Sequence, residues 1–249
     1  MAKLTITRGK TFALKLRPAS LPYIYKAITA ITKTGPVSIT CPSHGMQTGW
    51  RAVVVSVKGM TQINAAAFKK TSEFIKQALK VTVVDANTIT INTINSSDFP
   101  AYSGGGYIQY LTPTDLTGST ARMAIKDKVG GLELLRLDTT NGRVALDNTQ
   151  KTVSLTIEAA ATTALTWATA KYDCELVGAP VAAGAFVVGL TYKILTLGTT
   201  NFTLIGALSN TVNLTFTATG AGTGTGAVEG TVSLLLPLDD IKAKDEVTT

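Results

Sequence analysis

Residues 115–176 read DLTGSTARMAIKDKVGGLELLRLDTTNGRVALDNTQKTVSLTIEAAATTALTWATAKYDCEL. The stretch contains short runs in which every second residue is apolar, which is the period of a strand with one buried face. The runs are Ala121, Met123, Ile125; Leu132, Leu134, Leu137; Val144, Leu146; Val153, Leu155, Ile157; and Tyr172, Cys174, Leu176. Pairs typical of tight turns, such as Asn141 with Gly142, separate them. We therefore expect an all-β fold, an antiparallel, immunoglobulin-like β-sandwich.

Several motifs occur along the chain in a fixed order. They are RGKTF at 8–12, DLTG at 115–118, TVSLTIE at 152–158, YDCEL at 172–176 and VEGTV at 228–232. In this order they resemble the N-terminal β-sandwich domain of baseplate upper proteins, which anchor receptor-binding fibres in tailed bacteriophages. In that family an RGDTF-like run belongs to the first strand and an LEGTV-like run to the last.

The resemblance covers three separate parts of the chain. It implies a sandwich core built from residues 1–20, 112–178 and 228–240, with the two intervening segments as insertions. Surface loops tolerate such insertions because the entropy cost of closing a loop grows slowly with its length.

The first insertion, residues 21–111, carries motifs of its own. These are PSHGMQTG at 42–49, GMTQIN at 59–64, VVDANTITI at 83–91 and AYSGGG at 101–106. They resemble the small β-barrel module named after the FCCH region of ubiquitin-activating enzymes, which also occurs in phage structural proteins. The resemblance implies no ubiquitin chemistry.

A helix is predicted inside this insertion, at about residues 65–80, where the apolar spacing changes and Gly and Pro are absent. Phe68, Phe74, Ile75 and Leu79 form its apolar stripe. The stripe is a candidate for docking a partner, and the alternative is that it covers its own barrel.

The second insertion, residues 179–227, contains a single charged residue, Lys193. Its motifs are YKI at 192–194, GTTNF at 198–202 and GTGTG at 222–226. With these motifs the segment resembles a short β-module that recurs in phage tail and fibre proteins. We expect its Gly/Thr-rich end to be a linker that returns to the sandwich. We expect residues 241–249 to form a polar, frayed tail.

The charge of the chain is uneven. The formal net charge is +7, and residues 1–72 contain eleven Lys and Arg but no Asp or Glu. Such a segment could face nucleic acid or another acidic partner. No aromatic stacking platform accompanies the charge, so we favour a solvated basic face beside an acidic neighbour, and nucleic acid is not the expected partner.

Residues suited to catalysis are sparse. His44 is the only histidine, and it lies in a loop motif that the module resemblance explains as structural. The two cysteines, Cys41 and Cys174, lack the spacing of a metal site, and we expect two buried thiols. The GTGTG run lacks the helix and the lysine of a phosphate loop. We therefore expect no enzyme, no catalytic site, no metal and no cofactor.

Together these observations predict a structural virion protein of a tailed bacteriophage. The first choice is a baseplate or tail-fibre adaptor, and the alternatives are a head-decoration or neck (collar) protein and a carbohydrate-binding receptor-binding protein. The expected partners are other virion proteins (tail, baseplate, neck or fibre subunits) and further copies of the chain in a symmetric ring or trimer. MAKLTITRGK at the start has no apolar signal region, and no apolar stretch is long enough to span a bilayer. We expect no membrane partner, and a protein made in the host cytoplasm and located in the virion.

Overall fold

The computed structural model describes residues 4–245. Strands account for 44% of the residues and helices for 8%, which confirms the predicted all-β class. The described chain divides into two compact units, one of residues 4–18 and 115–245 and the other of residues 19–114.

Most strands are short and are joined by tight turns. In chain order they are β1 (Leu4–Thr7), β2 (Phe12–Leu16), β3 (Ala19–Ala27), β4 (Ala30–Thr32), β5 (Val37–Thr40), β6 (Arg51–Val55), β7 (Leu79–Lys80), β8 (Thr82–Val83), β9 (Thr88–Ile91), β10 (Tyr107–Pro113), β11 (Thr120–Lys126), β12 (Glu133–Asp138), β13 (Val144–Asp147), β14 (Thr152–Ile157), β15 (Thr169–Val177), β16 (Val181–Ala182), β17 (Thr191–Thr196), β18 (Thr215–Thr217), β19 (Ala227–Val228) and β20 (Val232–Lys244). The helices are α1 (Thr71–Gln77) and α2 (Ala159–Thr163), and single 3₁₀ turns lie at Thr61–Ile63 and Phe202–Ile205.

The larger unit contains two sheets that share one core in a sandwich-like arrangement. The sheet orders are β1-β20-β15-β11-β12 and β13-β14-β2, so strands from the beginning, middle and end of the chain lie side by side. The core joins Met123 and Ile125 of the first sheet to Val153, Leu155 and Ile157 of the second. These residues are fully buried. Successive side chains of a strand point to opposite faces of the sheet, so every second one points into the core.

One pairing of this unit is parallel. Leu4 to Thr7 of β1 pair with Ile241 to Lys244 of β20, whereas the other strand pairs of the two sheets, within the described residues, are antiparallel. A parallel pair needs a long crossover connection. Here nearly the whole chain supplies it, because the two strands lie at opposite ends of the sequence.

The predicted polar tail at 241–249 is wrong for its first residues. β20 continues to Lys244, and Ile241 and Ala243 are buried on its core-facing side. The backbone of this end is hydrogen-bonded to β1 on one side and, at Ile241 and Lys242, to β15 on the other. The alternation of apolar and polar residues lets the segment bury Ile241 and Ala243 and remain in the sheet despite its polar composition. Residues 246–249 lie outside the described part of the chain.

The segment between β15 and β20 forms a small sheet of its own, with the order β16-β19-β17-β18. Its core is aromatic: the ring of Phe186 lies 5.9 Å from that of Phe202 and 6.5 Å from that of Phe216. The module thus has an apolar core distinct from that of the two larger sheets.

The Gly/Thr-rich end of this module is not a linker. The Oγ1 of Thr225 accepts a hydrogen bond from the N–H of Thr199, and the Oγ1 of Thr200 accepts one from the N–H of Gly226. A Cβ atom at Gly226 would lie 2.5 Å from the carbonyl oxygen of Leu197. The glycines therefore permit two backbone segments to pack closely, which composition alone does not distinguish from a flexible joint.

The smaller unit also contains two sheets, with the orders β3-β10-β6-β7 and β4-β5-β9-β8. Their shared core includes Val54, Ile108, Ile39, Ile89 and Ile91. Helix α1 lies against the other face of the first sheet, where Phe74 and Ala78 pack on Val53.

The predicted helix at 65–80 is too long at both ends. Helix α1 covers only Thr71–Gln77, because residues before and after it form hydrogen bonds with strand β6 of the sheet. On one side, the N–H of Ala65 donates to the carbonyl oxygen of Val54. On the other side, Leu79 and Lys80 pair with β6 as strand β7. Tertiary contacts therefore override the helical period of the sequence.

Candidate interaction surfaces

The four residues of the predicted docking stripe do not share one exposed face. Phe74 is 2% exposed and Ile75 is 53% exposed, so the helix turns one toward the sheet and the other away from it. Phe68 is partly buried beside Phe74, and Leu79 is partly buried against the main core of the unit. Of the four, Ile75 presents the largest exposed side chain, and its docking role stays a prediction.

Helix α1 is held to its sheet by aromatic contacts. The ring centroid of Tyr23 lies 5.0 Å from that of Phe74 and 5.9 Å from that of Phe68, and the two phenylalanine rings are 5.5 Å apart. The stripe thus covers its own unit through Phe68 and Phe74, which is the alternative that the sequence left open.

The module from Val181 to Val228 has a different kind of surface. Six large aliphatic side chains of this segment are exposed, and Lys193 is its single charged residue. They are Val187, Val188, Leu190, Leu204, Leu208 and Val212. Scattered exposed aliphatics are ordinary, but no separate stretch of the same length in the described chain exposes as many large apolar residues.

Arg122 lies where this module joins the sandwich-like sheets. Its Nε donates to Glu175 on the neighbouring strand β15, and its Nη1 donates to Glu229, both at 2.8 Å. Burial lowers the pKa of Arg122, but the hydrogen bonds that it donates to Glu175 and Glu229 and the charges of these carboxylates more than offset that effect, so its pKa is raised. No pattern in the sequence indicates this contact, because Arg122 and Glu229 are far apart in the chain.

His44 has two structural hydrogen bonds. Its Nδ1 accepts the N–H of Met46 at 3.0 Å, and its Nε2 donates to the carbonyl oxygen of Asp85 at 2.9 Å. The hydroxyl of Tyr110 donates to the His44 carbonyl oxygen at 2.6 Å. Both ring nitrogens are therefore used to fix a loop, and the side chain is buried.

Both cysteines are free thiols, and both are buried, in different units. Burial raises the pKa of Cys41 to about 11, although Lys26 opposes this rise. Burial, with smaller contributions from Asp173 and Glu175, raises the pKa of Cys174 to about 12. Neither thiol is therefore ionised near neutral pH, which is the state of an unreactive structural cysteine.

The basic N-terminal segment is partly used inside the fold. Arg8 donates to the carbonyl oxygens of Leu165 and Trp167, and Arg51 donates to that of Ala78. Lysines such as Lys33 and Lys58 are exposed. The charge is thus divided between internal contacts and a solvated surface.

Within residues 4–245, no group of three or more His, Cys, Asp or Glu is placed to hold a metal ion. In the same range, no helix has both the length and the apolar character needed to cross a membrane.

Comparison with known proteins adds no family to this description. No protein-family model matches the chain, and a search of curated proteins finds no matching sequence.

Proposed function

We propose that this chain is a structural component of a tailed-bacteriophage virion, a baseplate or tail-fibre adaptor that works by binding other subunits. The resemblance of its ordered motifs to the baseplate upper protein family supplies the phage assignment. The sandwich-like sheets would dock on the particle, and the inserted modules would contact neighbouring subunits or a fibre.

The observation that carries the proposal is the surface of the Val181–Val228 module. Its six exposed aliphatic side chains and single charge favour contact with another protein surface over contact with water. A subunit of a symmetric ring or trimer covers such a surface with a neighbour, because each copy presents the same patches.

The test is incorporation into particles. Val188, Leu204 and Leu208 are changed together to Ser in a copy that complements a phage whose own gene is disrupted. Because these side chains are exposed, we expect the variant to fold with an unchanged melting temperature. Its amount in purified virions should fall about tenfold or more, the effect of losing roughly 1.4 kcal/mol of contact energy.

A matched control changes Val129 and Leu132 to Ser. These two residues are also exposed aliphatics, but they lie in the turn between β11 and β12. We expect the control to be incorporated like the natural chain. If mass spectrometry detects no natural chain in purified virions, the proposal is wrong, whatever the variants do.

A further inference from the structure

A cleft of about 490 Å³ lies on the smaller unit, between the helix-bearing face of the β3-β10-β6 sheet and the segment that leads to α1. The residues that line it include Tyr23, Tyr25, Ser56, Lys69 and Gln109. A volume of this size lies in the range of clefts that hold small organic ligands.

Gln109 gives the cleft a polar element. It is 4% exposed, and its side-chain amide makes no hydrogen bond to another residue in the range 4–245. It stands in the middle of β10, between Tyr25 of β3 and Val53 of β6. Among the described residues no fully buried side-chain nitrogen or oxygen lacks a hydrogen-bond partner, so the Gln109 amide is in contact with solvent and keeps its two N–H donors and its carbonyl acceptor available to a ligand.

Tyrosine rings line the cleft beside this amide. Tyr25 is 54% exposed, and its ring is braced edge-on by Tyr23 at 6.4 Å and by Tyr107 at 6.2 Å. In the described chain none of these three hydroxyls makes a hydrogen bond to the protein. The hydroxyls of Tyr102 and Tyr110, by contrast, are bonded to backbone carbonyls.

Two further residues line the cleft. Lys69 is exposed and brings a positive charge, while its backbone N–H is bonded to Glu73. Ser56 has a φ of 60°, a backbone conformation that residues other than glycine rarely adopt. Such strain is often found where a site has to be shaped.

We propose that this cleft binds a saccharide that carries a carboxylate or phosphate substituent. The apolar face of a sugar ring packs on exposed aromatic rings such as Tyr25. The ring hydroxyls pair with the Gln109 amide and the tyrosine hydroxyls, and Lys69 pairs with the anionic substituent. The site stands apart from the proposed virion role and does not depend on it.

The polar lining favours a saccharide over an apolar peptide anchor. An aliphatic side chain placed over Gln109 would seal its amide away from water without a partner, which opposes binding. A sugar ring brings hydroxyl groups to the same position.

The test is binding to a printed array of saccharides with neutral and acidic members, followed by titration calorimetry with the best acidic one. We expect the natural chain to bind acidic saccharides. Tyr25→Ala and Gln109→Met should each weaken binding about tenfold or more, because each removes a direct contact. Lys69→Gln should remove the preference for acidic over neutral members.

Leu21→Ala is the matched control, since Leu21 lies on the same strand as Tyr25, is 56% exposed and does not line the cleft. Its affinity should stay within about twofold, as for an ordinary surface change. Melting temperatures show that each variant is folded, and Tyr25→Ala provides the readout if Gln109→Met is not. An array without any bound saccharide overturns the proposal. So does binding that Tyr25→Ala leaves unchanged, or Tyr25-dependent binding to a peptide array alone.

Discussion

The guanidinium of Arg122 donates a hydrogen bond of 2.8 Å to the carboxylate of Glu229, although 107 residues separate the two in the chain. Glu229 faces two parts of the structure at once. Its side chain binds the sandwich-like sheets through Arg122, and its backbone N–H donates to the carbonyl oxygen of Lys193 in the inserted module. The pair therefore fastens the base of that module to the sheet from which it projects.

Removing this fastening should destabilise the larger unit. We expect Arg122→Ala to lower its free energy of unfolding by about 1 to 3 kcal/mol, because two charge-assisted hydrogen bonds are lost and Glu229 is left partly buried. Urea denaturation followed by circular dichroism measures the change.

Arg136→Ala is the control for this prediction. Arg136 also bonds two carboxylates, those of Glu133 and Asp138, but its side chain is 45% exposed. Exposed pairs contribute little, so we expect a loss below about 1 kcal/mol. If the two variants lose the same free energy of unfolding, the Arg122 contacts contribute no more to stability than an exposed ion pair does.

Close packing of the Gly/Thr segment leads to a second prediction. Gly226→Ala should destabilise the module by about 1 to 3 kcal/mol, because its Cβ would overlap the Leu197 carbonyl oxygen and the Thr200 side chain. Gly178→Ala is the comparison, since the nearest atom to its Cβ would lie at 3.4 Å. A Gly226→Ala variant that melts like the Gly178→Ala variant would mean that the segment is a loose linker after all.

Much of the strand pattern could be predicted from the sequence. Ala121, Met123 and Ile125 alternate with Arg122, Ala124 and Lys126, and the first three are fully buried on one face of β11. Alternation of this kind has a local cause, the geometry of the extended chain, so a local pattern reveals it.

Features that depend on distant parts of the chain could not be predicted. Helix α2 at Ala159–Thr163 is not predicted from the sequence, and the hydroxyl of Thr162 there donates to the backbone carbonyl oxygen of Lys10, which is far away in the chain. Gln109 carried a weak signal, because a polar residue interrupts the alternation of Tyr107 and Leu111 in β10. The Arg122–Glu229 contact carried none.

The environment of helix α1 leads to a third prediction, which compares adjacent residues. Phe74→Ala should lower the free energy of unfolding of the smaller unit by about 3 to 5 kcal/mol, because a buried ring that packs on Val53 is removed. Ile75→Ala should change it by less than about 1 kcal/mol, because that side chain is half exposed. Thermal unfolding of the two variants measures both losses of stability. A larger loss for Ile75→Ala than for Phe74→Ala would mean that α1 turns Ile75, and not Phe74, toward the sheet.

Acid should weaken the protein through Asp138. Hydrogen bonds from the Thr140 hydroxyl and the Asn141 N–H, with a further one from Arg136, hold the pKa of Asp138 at about 2, below the usual 3.8. A lowered pKa in the folded state stabilises the fold above the unfolded value and loses that contribution as the pH falls from about 4 to about 2.

The variant Asp138→Asn isolates this effect. It should be less stable than the natural chain near neutral pH, and its melting temperature should fall less between about pH 4 and about pH 2. Asp115, whose pKa is also held at about 2 by Asn148, Thr117 and Lys151, contributes to the remaining fall. Parallel melting curves for the variant and the natural chain across this window would contradict the assignment to Asp138.

The thiols lead to a fifth prediction. Because burial raises the pKa of Cys41 to about 11 and that of Cys174 to about 12, we expect no reaction with a disulfide reagent in the native protein near neutral pH. Both thiols should react once guanidinium unfolds the chain. Rapid labelling of one thiol in the native state would show that its surroundings open readily.

The central claim is that the chain is a virion subunit that neighbouring subunits cover. Cryo-electron microscopy of the purified phage that encodes it tests this most directly. We expect density for the two sandwich-like sheets in a symmetric ring at the baseplate or fibre attachment, with Leu204 and Leu208 buried against a neighbour. Density in the neck or on the head would move the protein to that place in the particle. A complete particle reconstruction without this chain would contradict the claim.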